Sequence, residues 1–155
     1  MADVTKLTEE DFIDWGNADN YVKAVGVGEC AGVVIDLVAT LIFEAKDKMT
    51  FAQEAFEEGK WSDAIYLAYA GFVNGAKALL LAENQKTNHH AGIIDLFDTV
   101  FIESNKIELD STFKDLVYQI KANEPSAEFA QKYIQEGIAF FQNIEKYRAK
   151  DLADA

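Results

Sequence analysis

Residues 62–83 read SDAIYLAYAGFVNGAKALLLAE, and between Asp63 and Glu83 the only charge is Lys77. A run this apolar, opened by Ser62 and Asp63 as N-cap candidates, predicts a helix with protein on nearly every side. Ala64, Ala68, Gly71, Gly75, Ala76 and Ala78 leave room for neighbouring helices to approach closely. A glycine in a helix costs about 1 kcal/mol relative to alanine, so packing is the reason to keep two of them. Such a helix belongs in the middle of a bundle.

Upstream, residues 30–58 predict a long first helix that is apolar almost all round its front half. Its polar positions Asp36, Thr40, Glu44 and Asp47 fall on one narrow stripe at helical spacing. Gly59 follows where a helix C-terminus wants glycine. Only about three residues, Gly59, Lys60 and Trp61, then join the two helices, which forces an antiparallel hairpin. In that hairpin, residues at one level have numbers adding to about 121. Lys77 is therefore expected level with Glu44, and Asp36 level with Gln85 and the His89–His90 loop.

Downstream, a third helix is expected over 90–103, with Ile93, Ile94, Phe97, Val100 and Phe101 on one face. A short fourth helix, capped by Asp110, carries Phe113, Leu116, Val117 and Ile120 at i, i+3, i+4, i+7 spacing. Pro125 suits the first turn of a fifth, which carries Phe129, Tyr133, Ile134, Phe140, Phe141, Ile144 and Tyr147 and is expected to fray near 149–155. No strand pattern of useful length follows residue 25. The expected class is all-α: an up-and-down bundle of four to five helices over 29–155, preceded by an extended arm or linker over 1–28. The arm mixes Glu9, Glu10, Asp11, Asp14 and Asp19 with Phe12, Ile13, Trp15 and Tyr21, and is read as lying on a neighbouring surface through its aromatics.

Composition excludes several functions. The chain has 155 residues, enough to bury a core without staples. One cysteine rules out a disulfide framework, a cysteine-rich zinc site and a self-contained iron–sulfur cluster. A net charge of −13 argues against tracking a nucleic-acid backbone. No signal-peptide pattern opens the chain, and the greasy stretch 31–43 is shorter than the ~20 residues a bilayer demands. The expectation is no nucleic acid, no membrane and a cytoplasmic location.

Candidate chemistry is sparse. His89 and His90 are the only histidines, and neighbours on a helix point about 100° apart, so they do not share a metal. Asp36, inside an apolar run, reads either as a buried general base or as a member of the polar stripe, and the stripe is the better reading. Lys77 with Glu44 reads as a partly buried ion pair, or as a lysine whose stem covers apolar surface. Gly26-Val27-Gly28 is a tight turn into a helix, without the further strands a dinucleotide fold needs. Cys30, a helix-start thiol beside Glu29, reads as packed. If a small ligand or nucleotide binds, its cleft is expected near Asp36, Lys77, His89 and His90, with Lys77 on a phosphate and His89 donating hydrogen bonds.

The run from Ser62 through Leu81, followed after a loop by His90-Ala91-Gly92-Ile93-Ile94-Asp95-Leu96-Phe97, resembles a HEPN domain over about residues 31–150. That resemblance implies a helical domain of a kind often found beside nucleotidyltransferases. Many HEPN domains are ribonucleases with an arginine followed four to six residues later by a histidine. Here the only arginine is Arg148 and no histidine follows it, so no catalytic residue carries over. A second, narrower resemblance lies in Phe12-Ile13-Asp14-Trp15-Gly16 and in Val25 to Gly32. These stretches look like the segment joining a siroheme sulfite or nitrite reductase to a C-terminal helical extension. That resemblance implies a covalently linked reductase carrying siroheme and a 4Fe-4S cluster, none of whose cysteine set is present here. The combined expectation is a non-catalytic accessory domain without its own cofactor, homo-oligomeric through its apolar helices.

Overall fold

A computed structural model describes the backbone of residues 30–154 and the side chains of 37–153. The arm, the glycine turn at 26–28 and the side chains of Cys30 and Asp36 lie outside the described residues. Among the described residues all the regular structure is helical, with no strand. In order come α1 (Cys30–Glu57), α2 (Trp61–Ala82), α3 (His90–Phe97), a π-helical turn (Asp98–Ile102), α4 (Phe113–Val117), α5 (Gln119–Ala122) and α6 (Ala127–Asp154).

The hairpin forms as its spacing demands. Gly59 takes φ 77°, and Lys60 N–H donates to Ala55 O at 2.9 Å, closing α1 and turning the chain at once into α2. Ser62 and Asp63 lie inside α2 rather than capping it; Lys60 holds the N-cap position with no side-chain cap. Trp61 instead packs its ring 5.1 Å from Phe56, so an aromatic pair fixes the corner. Twelve of the 22 residues of α2 are buried. By length and composition α2 is the described helix that could cross a membrane; its burial among α1, α3, α4 and α6 accounts for the same apolarity.

The core is a cluster of rings. Phe97 lies 4.5 Å from Phe113, Phe113 5.0 Å from Phe140, and Phe72 5.4 Å from Phe140 and 5.1 Å from Tyr133. Tyr133 is fully buried, and its hydroxyl donates to Val117 O at 2.7 Å, which ties α6 to the end of α4. Met49 of α1 meets Gly71 of α2 and Gly137 of α6, so one flexible thioether fills the seam of three helices.

Several boundaries differ from the sequence expectation. The third helix is α-helical only to Phe97 and then widens, with Glu103 N–H donating to Asp98 O at 2.8 Å. Asp98 points its carboxylate at the next element, accepting from Phe113 N–H at 2.6 Å and Lys114 N–H at 3.0 Å. Thr112, not Asp110, caps α4, its Oγ1 accepting from Asp115 N–H at 3.0 Å. The expected fourth helix is divided into α4 and α5 at Tyr118. Ser126, just after Pro125, accepts from Phe129 N–H at 3.0 Å and starts α6. That helix runs on to Asp154 where fraying was expected, with Arg148 paired to Asp151 at 3.7 Å in its last turns.

Candidate functional site

The open face of the α1–α2 hairpin holds a cavity of about 290 Å³. Its floor is apolar, from Leu41, Ala45, Ala78 and Leu81, and Phe51 stands at its edge. Its polar lining is Glu44, Asp47, Lys48, Asn74 and Lys77, with Gln85 and Thr87 from the loop after α2. The register that makes this face is visible at Gly71, where an added Cβ would sit 3.4 Å from both Ala45 O and Lys48 Cβ. Glu44 and Lys77 thus line one cavity, as the hairpin numbering requires.

Lys77 is half-buried among those apolar neighbours, and burial lowers the basicity of its ammonium. Glu44 and Thr40 are exposed and Asp47 half-exposed, so the described part of the polar stripe faces outward beside the cavity. A second, shallower depression continues the groove toward the hairpin turn, between Phe51, Ala55, Tyr66 and Leu67. Phe43, Phe51 and Tyr66 are 66%, 47% and 65% exposed, unusual for residues of that size.

The histidines are placed elsewhere. The loop 83–89 runs back along α2, and His90 meets Tyr69, with Nδ1 3.1 Å from the tyrosine hydroxyl and the rings 5.8 Å apart. Tyr69 and Lys77 are eight residues apart, about 80° round the helix, so they face different sides. His89 is exposed at the N-cap position of α3 and makes no side-chain cap. Neither histidine is among the residues lining the cavity. Of the four expected cleft residues, the structure puts Lys77 in the cavity and His90 with Tyr69; His89 is solvated, and the side chain of Asp36 is outside the described residues. Lys48, Phe51 and Asn74 were missed. The numbering that paired Glu44 with Lys77 also pairs Lys48 with Asn74, so that signal was available.

Arg148 sits far from a histidine partner. Its neighbour Tyr147 feels Glu83, Lys106 and Asp151, which places this end of α6 at the C-terminus of α2. His90 lies against Tyr69, 14 residues back along α2, a separation of roughly 20 Å at 1.5 Å per residue. Among the described residues, no three His, Cys, Asp or Glu side chains gather as a metal site would need.

These features define an all-α bundle built round a buried central helix, with an amphipathic groove on one hairpin face. The chain belongs to the HEPN domain family, whose model matches residues 38–152. It is 29% identical over 116 residues to a Methanocaldococcus jannaschii protein named "Putative toxin MJ0605", a match covering 70% of this chain and 87% of that one. It is 35% identical over 63 residues to the UPF0332 protein PH1297 of Pyrococcus horikoshii, covering 41% of this chain and 44% of that one. No solved structure matches it.

Proposed function

We propose that this HEPN domain is a non-catalytic interaction domain that assembles through the α1–α2 face with a second copy of itself. The observation that carries the reading is the exposure of Phe51 and Tyr66 on that face. Isolated exposed apolar residues need no explanation, but large aromatics along one hairpin suit the centre of an interface. A face two helices wide and 22 residues long measures roughly 33 by 20 Å, on the scale of the about 800 Å² per partner that a stable interface buries. In light scattering at micromolar concentration the wild-type chain runs as a dimer, and Phe51→Glu with Tyr66→Glu runs as a monomer of unchanged helicity. A wild-type monomer under those conditions refutes the assembly.

The toxin name of one relative does not extend to RNA cleavage here. No histidine follows Arg148 at the spacing such chemistry uses, His90 lies against Tyr69 in the middle of α2, and the net charge of −13 repels a polyanion. The same charge supports a chain that binds neither nucleic acid nor an acidic membrane surface. Attachment to a siroheme sulfite or nitrite reductase rests only on the resemblance of residues 12–32. The family match begins beyond them at residue 38, and neither relative's name mentions a reductase. Reading the frame upstream of Met1 for the siroheme and iron–sulfur cysteine set tests it directly.

A second reading is favoured by one observation, the cavity lined by Lys48 and Lys77: a domain that also holds a small ligand, a nucleotide in the simplest version. A rise in melting temperature with nucleotide, lost in Lys77→Met, supports that version.

A further inference from the structure

We infer that the groove between α1 and α6, on the opposite flank of α1 from the hairpin face, docks a helix of a partner protein that carries an apolar seam and basic residues at one end. Lys46 pairs with Glu145 at 2.9 Å while Met49 reaches Gly137, so the two helices run antiparallel. Between them lies a cavity of about 450 Å³, floored by the buried side chains of Met49 and Phe141. Its walls follow a seven-residue repeat. On α1 they are Lys46, Thr50, Gln53 and Glu57, and Phe43 stands one heptad before Thr50 on the same face. On α6 they are Ile138, Gln142 and Glu145, and Leu152 stands one heptad after Glu145. Phe43, Ile138 and Leu152 are 66%, 45% and 45% exposed, so the ends of the groove offer large apolar side chains to an incoming surface. From Phe43 to Glu57 the groove is about 21 Å long, four turns of a helix laid along it. Two heptad-spaced walls over an apolar floor are the form that receives a helix.

Charge sets the partner and its direction. The lining holds one lysine and three glutamates, and Lys46 is taken by Glu145, which leaves Glu54 and Glu57 unbalanced at the end nearest the hairpin turn. Lys60, at that turn, is held by Glu58 at 2.9 Å. At the other end Arg148 is paired with Asp151, and Lys146 and Lys150 are exposed on α6, so the partner's basic residues lie over Glu54 and Glu57 and not at the Leu152 end. A second copy fits this groove badly, because the chain has 27 acids against 14 bases. Residues 1–28 fit no better, with six acids and two lysines. Exposed rim charges add little affinity, but they select which partner docks and in which direction. The net charge of −13 also draws a basic partner in from a distance.

The experiment is fluorescence anisotropy of the full chain against three labelled synthetic helices of about 21 residues each. The first has leucine at its a and d positions and lysine flanking that seam at one end. The second has glutamate in place of each lysine, and the third scrambles the first without changing its composition. The expected result is that the first binds one per chain and the other two bind about tenfold more weakly or worse. Glu54→Lys with Glu57→Lys weakens the first about tenfold, whereas Glu103→Lys with Glu108→Lys, the same charge change at exposed positions before α4, leaves it within about threefold. If the scrambled helix binds as well as the first, only charge is being read and the inference falls. If the glutamate helix binds as well, the partner is not basic and the inference falls. If none binds, the groove is no docking site for a helix. If Ile138→Glu changes the oligomeric state in light scattering, the groove belongs to a second copy and the inference falls. The comparison of the three helices needs no variant, so a substituted chain that folds poorly does not shelter the inference.

Discussion

Adding one methyl group at Gly75 tests whether α2 packs on α6 as described. An alanine Cβ there would lie 2.8 and 2.9 Å from Cζ and Cε1 of Phe141, and 3.3 Å from Cδ1 of Ile144. Both neighbours are buried, so a stiff ring and a branched side chain must move together. Alanine returns about 1 kcal/mol of helix propensity, while forcing a methyl into a packed seam costs about 1–3 kcal/mol. The net expectation is a loss of about 1 kcal/mol, or a fall in Tm of roughly 2–4 °C for a chain of this size. Gly71→Ala is the control. There the close atom is Cε of Met49 at 2.8 Å, the free end of a flexible side chain, with Ala45 O and Lys48 Cβ at 3.4 Å. It should cost less than Gly75→Ala. Urea melts of both variants, and of Gly75→Ala combined with Phe141→Leu, give the comparison. The double variant should recover stability relative to the sum of its parts, a coupling on the order of 0.5–3 kcal/mol. A Gly75→Ala chain more stable than wild type, or no coupling to Phe141, refutes this packing.

Two further substitutions probe the connections that hold the bundle closed. Asp98→Ala removes the acceptor of two backbone N–H groups at the start of α4 and should cost about 2 kcal/mol in a urea melt, with Asp98→Asn recovering part of it through its remaining carbonyl oxygen. Tyr133→Phe leaves the Val117 carbonyl without its buried donor and should cost about 1–2 kcal/mol. In the folded chain burial raises the basicity of the Tyr133, Tyr69 and Tyr147 phenolates above the ordinary value of 10.0, so the native state holds protons that the unfolded chain releases. Their contribution is therefore full below pH 10 and declines as pH rises past it; alkaline melts of Tyr133→Phe should show a shallower decline than wild type.

The fold was legible because its signals are long-range in the sequence and physical in origin. Nineteen residues with one charge can only be a central helix, and a three-residue link can only make a hairpin, so α1, α2 and their register followed. The apolar spacing of Phe113, Val117, Phe129, Tyr133, Phe140 and Ile144 gave the buried faces of the later helices correctly. What the sequence hid were choices between equivalent local donors and acceptors. Asp110 and Thr112 are both sound N-caps; Thr112 wins because Asp98, from a distant turn, already satisfies the neighbouring N–H groups. The position of His90 was hidden for the same kind of reason. The path of the loop 83–89 is set by Asn84 at φ 60° and by Gln85 N–H donating to Leu80 O at 2.9 Å, which turns the chain back along α2 instead of onward.

That backward turn separates two features this chain holds in small number. His90 is carried to the middle of α2 beside Tyr69, and Arg148 stays in the last turns of α6, paired with Asp151, where its neighbour Tyr147 feels Glu83 and Lys106 at the C-terminal end of α2. An acid–base reaction on a phosphodiester needs its general base and its phosphate clamp within hydrogen-bond reach of one substrate. At roughly 20 Å along one rigid buried helix, no side-chain rotation within a single chain unites them. The α1–α2 groove contains neither residue: its cations are Lys48 and Lys77, and Lys77 stands on a different side of α2 from Tyr69, over a hydrocarbon floor made by the hairpin. The assembly proposed for the α1–α2 face therefore does not depend on the arginine and histidine being brought together, and substituting His90 or Arg148 should leave the oligomeric state in light scattering unchanged.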